Sequence, residues 1–269
     1  MNPLSLAAGV LPDHGAEVVA DAAGEAGYPF AGFTIDPQEW DAATTRRVKD
    51  RVQTHGIGVL DVEVVWILPG GELDDGHELI IDTGAELGAR NVLVASREAD
   101  ISRNAAALHR LCERAAPAGM RVALEFLMIA KIQSLRVAHA VVQACDHPTA
   151  AILIDTLHFQ RAGEGVDALA EIDPRLLPYA QFCDGNLACE ATFEAYLEDA
   201  LDLRSAAGEG ELPLPQLLAK LPENCPLSLE VRSKRYRDEF PRPVDRARAI
   251  LERTQQFLEK TRRRATSSP

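Results

Sequence analysis

The chain has 269 residues, 46% of them hydrophobic and 26% charged, with a formal net charge of −13, a pI near 5.0 and a mean hydropathy of −0.10. That balance fits one large soluble domain. It excludes a spanning helix, because no stretch reaches the roughly 18 uninterrupted apolar residues one needs, and it lacks the basic stripe of a nucleic-acid binder.

The opening segment, MNPLSLAAGVLPDHG, carries no basic n-region and runs directly into fold-like sequence, so no signal peptide is expected and a cytoplasmic location is inferred. PLSLAAGV reads as a first strand, Gly15–Ala26 as an amphipathic helix and AGFTID as a second strand. Ala42–His55 is helical and closed by Gly56, and GVLDVEVVWIL is the third strand. Helix His77–Leu87 ends at Gly88 before the strand NVLVAS; helix Ser102–Ala118 ends at Gly119 before the strand RVALEFL. Helix Ile132–Cys145 precedes the sixth strand, AAILIDT. A short helix over Val166–Glu171 precedes PYAQFCDG, and a longer excursion with Leu214–Leu221 precedes PLSLEVRS. Pro243–Thr261 forms the last helix. Glycines just past helix ends close those helices with a left-handed residue.

Eight strands alternating with helices over this length predict a (β/α)₈ TIM barrel. A doubly wound open sheet is the alternative, weakened because no Gly-rich dinucleotide fingerprint follows the first strand. One domain is expected over 1–260, with a basic, flexible tail over 261–269. The five cysteines, Cys112, Cys145, Cys183, Cys189 and Cys225, form no CxxC pair, so neither a disulfide framework nor a zinc site is expected.

Four strands carry an oxygen-bearing side chain near the C-terminal end of an apolar run: Glu125, Asp155, Gln181 and Glu230. A buried parallel strand has no use for a carboxylate that is neither paired nor bound to a metal. In a barrel those ends face the mouth, and three carboxylates gathered there repel one another unless a divalent cation joins them. Three carboxylates and an amide form a hard donor set, suited to Mg²⁺ or Mn²⁺, with Co²⁺ or Zn²⁺ as less suited alternatives.

On ALEF, LIDTLHFQRAG, AQFCDG and LSLEV the chain resembles the xylose-isomerase-like TIM-barrel superfamily, the sugar-phosphate isomerase and epimerase group, over nearly its whole length. The resemblance implies that Glu125, Asp155, Gln181 and Glu230 hold one divalent metal, that Glu125 and Glu230 act as the acid/base pair, and that His158, in the D-x-x-H pattern, holds substrate oxygens. Gln at the strand-seven position looks more like the hydroxypyruvate-isomerase branch than the ketose 3-epimerases. A metal-dependent isomerase or epimerase of a keto-sugar or related hydroxycarbonyl compound, working through an enediolate, is the implied activity. The alternative is a dehydratase or lyase on a cyclic or bulkier hydroxyketone, a reaction that members of the superfamily carry out on inososes and dehydroshikimate.

Further residues are candidates for substrate contact. Glu63 in the third strand points into the mouth or pairs with a cation, and Trp66 walls the substrate or joins the core. Lys131 after the fifth strand, and Arg232, Lys234 and Arg235 after the eighth, are available to an anionic group. Asp184 is read as orienting the Gln181 amide or a substrate hydroxyl. His14, His55, His77, His109, His139 and His147 are assigned surface or packing roles. Two departures from the family stand out. The arginine that some members carry soon after the strand-seven ligand is missing from Asp184-Gly185-Asn186-Leu187, and Leu127-Met128-Ile129-Ala130 is more apolar than a sugar site favours. A nuclease of the same superfamily needs several strand-end histidines and a basic groove, and a binding barrel without catalysis needs no carboxylate cluster; both fit poorly. The expected partner is a small molecule, with neither nucleic acid nor membrane, and barrels of this kind often form homo-oligomers through their outer helices.

Overall fold

In the computed structural model, which describes residues 2–267, eight parallel strands close into a barrel in chain order. They are β1 (Leu4–Leu6), β2 (Phe30–Thr34), β3 (Gly58–Ile67), β4 (Asn91–Ser96), β5 (Arg121–Glu125), β6 (Ala150–Asp155), β7 (Ala180–Gln181) and β8 (Leu227–Leu229). The ring is sealed by β1 pairing with β8, Ser5 opposite Ser228. The helices are α1 (Ala16–Ala26), α2 (Ala42–His55), α3 (Asp75–Leu87), α4 (Ile101–Ala115), α5 (Leu135–Cys145), α6 (Thr156–Ala162), α7 (Phe193–Asp202), α8 (Leu214–Lys220), α9 (Lys234–Glu239) and α10 (Pro243–Ser267). Among the described residues no helix is long and apolar enough to cross a membrane.

The expected eight-fold alternation is present, but several boundaries move for local reasons. Strand β1 stops at Leu6, and Ala8–Val10 forms a single 3₁₀ turn where PLSLAAGV read as one strand. Helix α5 starts at Leu135 rather than Ile132 because the Ser134 hydroxyl caps the Val137 N–H. Helix α3 starts two residues early, held by a reciprocal cap in which Asp74 and His77 bond each other's backbone N–H groups. Val166–Glu171 is 3₁₀ rather than α. Helices α6, α7 and α9 were not expected. The first is hidden because one residue, Asp155, ends β6 and caps α6 at once. Helix α10 continues through Thr261–Arg264 to Ser267, across most of the segment read as a flexible tail; residues 268 and 269 of that tail lie outside the described residues. Gly56, Gly88 and Gly119 do close their helices at φ of 65°, 73° and 70°.

The apolar mass divides as a barrel requires. Most of it fills the layer between strands and helices, where Val19, Val48, Ile80, Leu108, Val141 and Ile250 are buried. A smaller plug of Leu60, Leu93, Ala123, Ala151, Leu153 and Tyr179 fills the barrel interior below the mouth. Above it Leu127 and Ala130, with Trp66, Val64 and Ile129 packed on them, form an apolar wall on one side of the opening.

Candidate functional site

Strand register brings the four oxygen donors to one rim. Glu125 stands opposite Leu153, Asp155 opposite Gln181 and Gln181 opposite Ser228. The pairing thus climbs two residues from β5 to β6 and, with Glu230 two beyond Ser228, two more from β7 to β8. That is the stagger strand tilt imposes on a closed barrel. All four residues are buried, and Glu125, Gln181 and Glu230 line a cavity of about 270 Å³ at the mouth. His158, Glu63 and Trp66 line the same cavity, as do Arg204 and Arg232.

The four donors differ in how they are satisfied. Asp155 accepts three hydrogen bonds and keeps one acceptor position on Oδ2: its Oδ1 accepts the Leu157 and His158 backbone N–H groups at 2.7 and 2.9 Å, capping α6, and its Oδ2 accepts Arg204 Nη1 at 2.6 Å. The same Nη1 lies 3.1 Å from Glu230 Oε2, so one guanidinium joins the β6 and β8 carboxylates. Glu125 makes no hydrogen bond, and both polar atoms of the Gln181 amide are buried without a partner. Electrostatics follow this division. Burial, with Asp155 and Glu230 beside it, pushes the Glu125 carboxyl well above the usual carboxylate range. Burial also pushes Glu230 up to about 7, against the pull of Arg204 and Arg232. Burial works the same way on Asp155, but Arg204 and His158 overcome it and hold that carboxyl low. Burial drives His158 down to about 4, which keeps its imidazole neutral, with Nε2 accepting from Arg204 Nη2 at 3.3 Å.

Arg204 is the residue the sequence did not reveal. It is 3% exposed and lies on the excursion between β7 and β8. Asp184, expected to orient the Gln181 amide or a substrate hydroxyl, instead fastens this excursion. Its carboxylate accepts the backbone N–H groups of Gly185, Gly208 and Leu212, each at 2.9 Å, and its backbone pairs with Ser205. Gly210 must be glycine for this packing, since a Cβ there would lie 2.5 Å from both Asp184 Oδ1 and the Gly185 carbonyl. The Arg204 N–H then bonds the Arg232 carbonyl at 3.1 Å, which sets the guanidinium at the strand ends. The only sequence signal for Arg204 was the charge imbalance of three carboxylates, which a cation from any loop could answer.

The remaining expectations divide. Glu63 faces the cavity and accepts Thr34 Oγ1 at 3.0 Å, and Trp66 forms part of the wall with Arg97 stacked on its outer face, 5.0 Å from the ring centroid. Lys131 is exposed and does not line the cavity. Lys234 and Arg235 also lie outside it, bonded to Asp238 and Glu209 respectively, because α9 turns them away from the barrel axis. Below the mouth, Asp61 and Tyr179 add buried polar groups that the sequence reading passed over; Asp61 Oδ1 and the Tyr179 hydroxyl make no hydrogen bond.

A divalent cation fits part of this set, the group of Glu125, Asp155 and His158, while Glu230, which Arg204 meets, falls outside that group. Ligand atoms of Glu125, Asp155 and His158 lie within 4.8 Å of one another, and the Gln181 amide lacks any other partner for a buried polar group.

The sequence matches the family model described as xylose isomerase-like TIM barrel over residues 20–261, and the chain belongs to that family. No curated protein matches it. Among solved structures, a xylose isomerase-like TIM barrel/4-hydroxyphenylpyruvate dioxygenase fusion protein is similar at a TM-score of 0.82 and 22% identity; the match covers 98% of this chain but 43% of that one. The IOLI protein, in a structure with a binding zinc atom, is similar at 0.77 and 16% identity, covering 96% and 97% of the two chains. D-allulose 3-epimerase from Methylomonas sp. is similar at 0.70 and 14% identity, covering 97% and 98%. At these identities the likeness is one of fold.

Proposed function

We propose that this member of the xylose isomerase-like TIM barrel family is a divalent-metal-dependent isomerase or epimerase of a hydroxycarbonyl compound. The observation that carries the reading is the Gln181 amide, buried with neither polar atom bonded, beside a Glu125 that makes no hydrogen bond, at a cavity that also receives Glu230. Such groups are costly to keep unless a ligand completes them.

Glu125, Asp155, Gln181 and Glu230 would hold the cation, and Mg²⁺ or Mn²⁺ suits that oxygen-rich set better than Zn²⁺. Bound there, the cation supplies Lewis-acid polarisation of a carbonyl and its neighbouring hydroxyl. Glu125 and Glu230, on strands three apart in the ring, flank the cavity, so one removes the α-proton of the substrate and the other returns it. The enediolate formed between those two transfers directs its charge towards Arg204, while neutral His158 bonds a substrate oxygen. Glu63, fixed by Thr34, orients a substrate hydroxyl, and the wall of Trp66, Leu127 and Ile129 excludes water from the carbon being deprotonated.

That wall also favours a second reading. If the same enediolate expels a β-hydroxyl, the protein is a dehydratase acting on a cyclic or bulkier hydroxyketone. Incubation in D₂O separates the two: deuterium incorporation without loss of water marks isomerisation, and water loss marks the lyase. Metal analysis of the purified chain should find one divalent ion per chain. Glu125→Gln and Glu230→Gln should each lower turnover by about 10²–10⁴-fold with the metal retained. Turnover near wild type in either variant, with full metal occupancy, removes that pair from the mechanism.

A further inference from the structure

At the end of the barrel opposite the mouth, we infer that Cys112 and Cys145 form a dithiol that a hydroperoxide oxidises to a reversible disulfide. All five cysteines are free thiols, and these two are buried in the packing between α4 and α5. Cys112 stands in the last turn of α4 and Cys145 is the last residue of α5, so both lie where the chain turns back to begin β5 and β6. His109, one turn before Cys112 on the same face of α4, donates Nδ1–H to the Cys145 carbonyl at 2.9 Å and so holds the two cysteines side by side across the helix pair. The two thiols are within hydrogen-bonding reach of each other, and His109 reaches the Cys145 thiol as well. The other three cysteines meet different groups: Cys183 the Arg204 guanidinium and the Thr156 hydroxyl, Cys189 the Glu190 carbonyl, and Cys225 the Pro226 carbonyl.

The surroundings give the two thiols different roles. The hydrogen bond from Cys112, with His109 beside it, outweighs burial and holds the Cys145 thiol below its ordinary value, so Cys145 ionises first. That same bond and burial push the Cys112 thiol up, against the Thr149 hydroxyl and Arg121. The His109 side chain is 42% exposed and its ring stands edge-on to His147, 5.2 Å between centroids, which gives a small oxidant an approach from solvent. The Cys145 thiolate attacks the peroxide O–O bond and becomes a sulfenic acid, while the departing hydroxide takes a proton and leaves as water. The Cys112 sulfur then attacks the Cys145 sulfur, the S–O bond breaks, and a second water leaves with the Cys112 proton. Two electrons pass from the sulfurs to one hydrogen peroxide. The bridge closes a loop that contains β5 and fixes the ends of α4 and α5 to each other.

The test treats the full-length protein with a small excess of hydrogen peroxide, quenches with catalase, alkylates in denaturant and digests with trypsin without reductant. The peptide 111–114 should appear joined to the peptide 137–161, lighter than their sum by two hydrogens, and dithiothreitol should part them. The bridge should form ahead of oxidation at Cys189, which alone of the five cysteines is not buried and would react first if exposure decided the order. It should also raise the thermal midpoint by about 5 °C or more. Cys112→Ser should form no bridge and leave Cys145 to be trapped by dimedone as its sulfenic acid. Both cysteines still alkylated in wild type once Cys189 is oxidised, a bridge from either to a different cysteine, or no dimedone adduct on Cys145 in folded Cys112→Ser overturns the assignment. The wild-type digest decides the matter if that variant does not fold.

Discussion

Two sides of the barrel mouth are built by opposite means. On the β3–β5 side the strands and their short turns supply everything: Glu63, Trp66, Glu125, Leu127 and Ile129 reach the cavity directly, and Glu125 ends without a partner. On the β6–β8 side the strand-end carboxylates Asp155 and Glu230 are met by a guanidinium delivered from a long excursion. The contrast shows how a chain keeps several buried acids in one place. One side is neutralised by a covalently tethered cation, and the other leaves Glu125 without a bonded partner, so that an ion from solution would serve Glu125 most.

The sharpest way to break that contrast is to remove the tethered charge. Arg204→Met should destabilise the metal-free protein by about 3–5 kcal/mol, the usual cost of stripping one partner from a buried ion pair. Urea unfolding measures this, and added Mn²⁺ should recover part of the loss by binding the carboxylates that Arg204 left. If Arg204→Met unfolds at the wild-type midpoint without metal, the guanidinium is not the counter-ion. A second cut goes to the fastening of the excursion. Asp184→Ala leaves three backbone N–H groups without an acceptor, two of them on the buried Gly185 and Leu212, and should cost about 2–3 kcal/mol. Hydrogen exchange of the Gly208 and Leu212 amides should quicken before that of the barrel strands; uniform quickening would mean that the excursion opens only with the whole fold.

The same contrast explains what the sequence disclosed. Where a residue's position follows from strand period and strand end, it was readable: apolar runs stopping at Glu125, Asp155, Gln181 and Glu230 placed all four at one rim. Glu63 and Trp66 were readable for the same reason, being on a strand. Arg204 was not, because its place depends on Asp184 gripping backbone amides far along the chain and on the pairing of Ser205 with Asp184, neither of which leaves a local pattern. Asp184 itself was misassigned on proximity to Gln181, although its side chain turns to the excursion. Helix α6 was missed because Asp155 serves two elements, and the run AAILIDT looked complete as a strand.

A matched pair of substitutions weighs the two sides directly. In the metal-free protein Glu125→Gln should stabilise by about 1 kcal/mol, since burial, Asp155 and Glu230 disfavour the ionised acid more than Arg204 favours it, and no hydrogen bond holds it. Asp155→Asn should instead destabilise, by about 1–2 kcal/mol, because it weakens the α6 cap and the Arg204 pair together. Thermal or urea unfolding under chelator reads both. Two shifts of the same sign would show that the open and neutralised sides are not energetically distinct.

The smallest effect falls just outside the open side, at Lys131. Its position after β5 made it a candidate for the substrate's charge, yet the turn gives the inward place to Ile129 and leaves the lysine exposed, with only its backbone N–H tied in, to the Ser96 carbonyl at 2.8 Å. An exposed side chain with no bonded partner contributes little, so Lys131→Ala should change stability by less than about 0.5 kcal/mol. It should also leave turnover of a hydroxycarbonyl substrate unchanged. Ile129→Ala, in the same turn, should raise KM several-fold, since it removes part of the apolar wall of the cavity. If Lys131→Ala lowered turnover, charge on the β5 side would be reaching the substrate despite the lysine's exposed position.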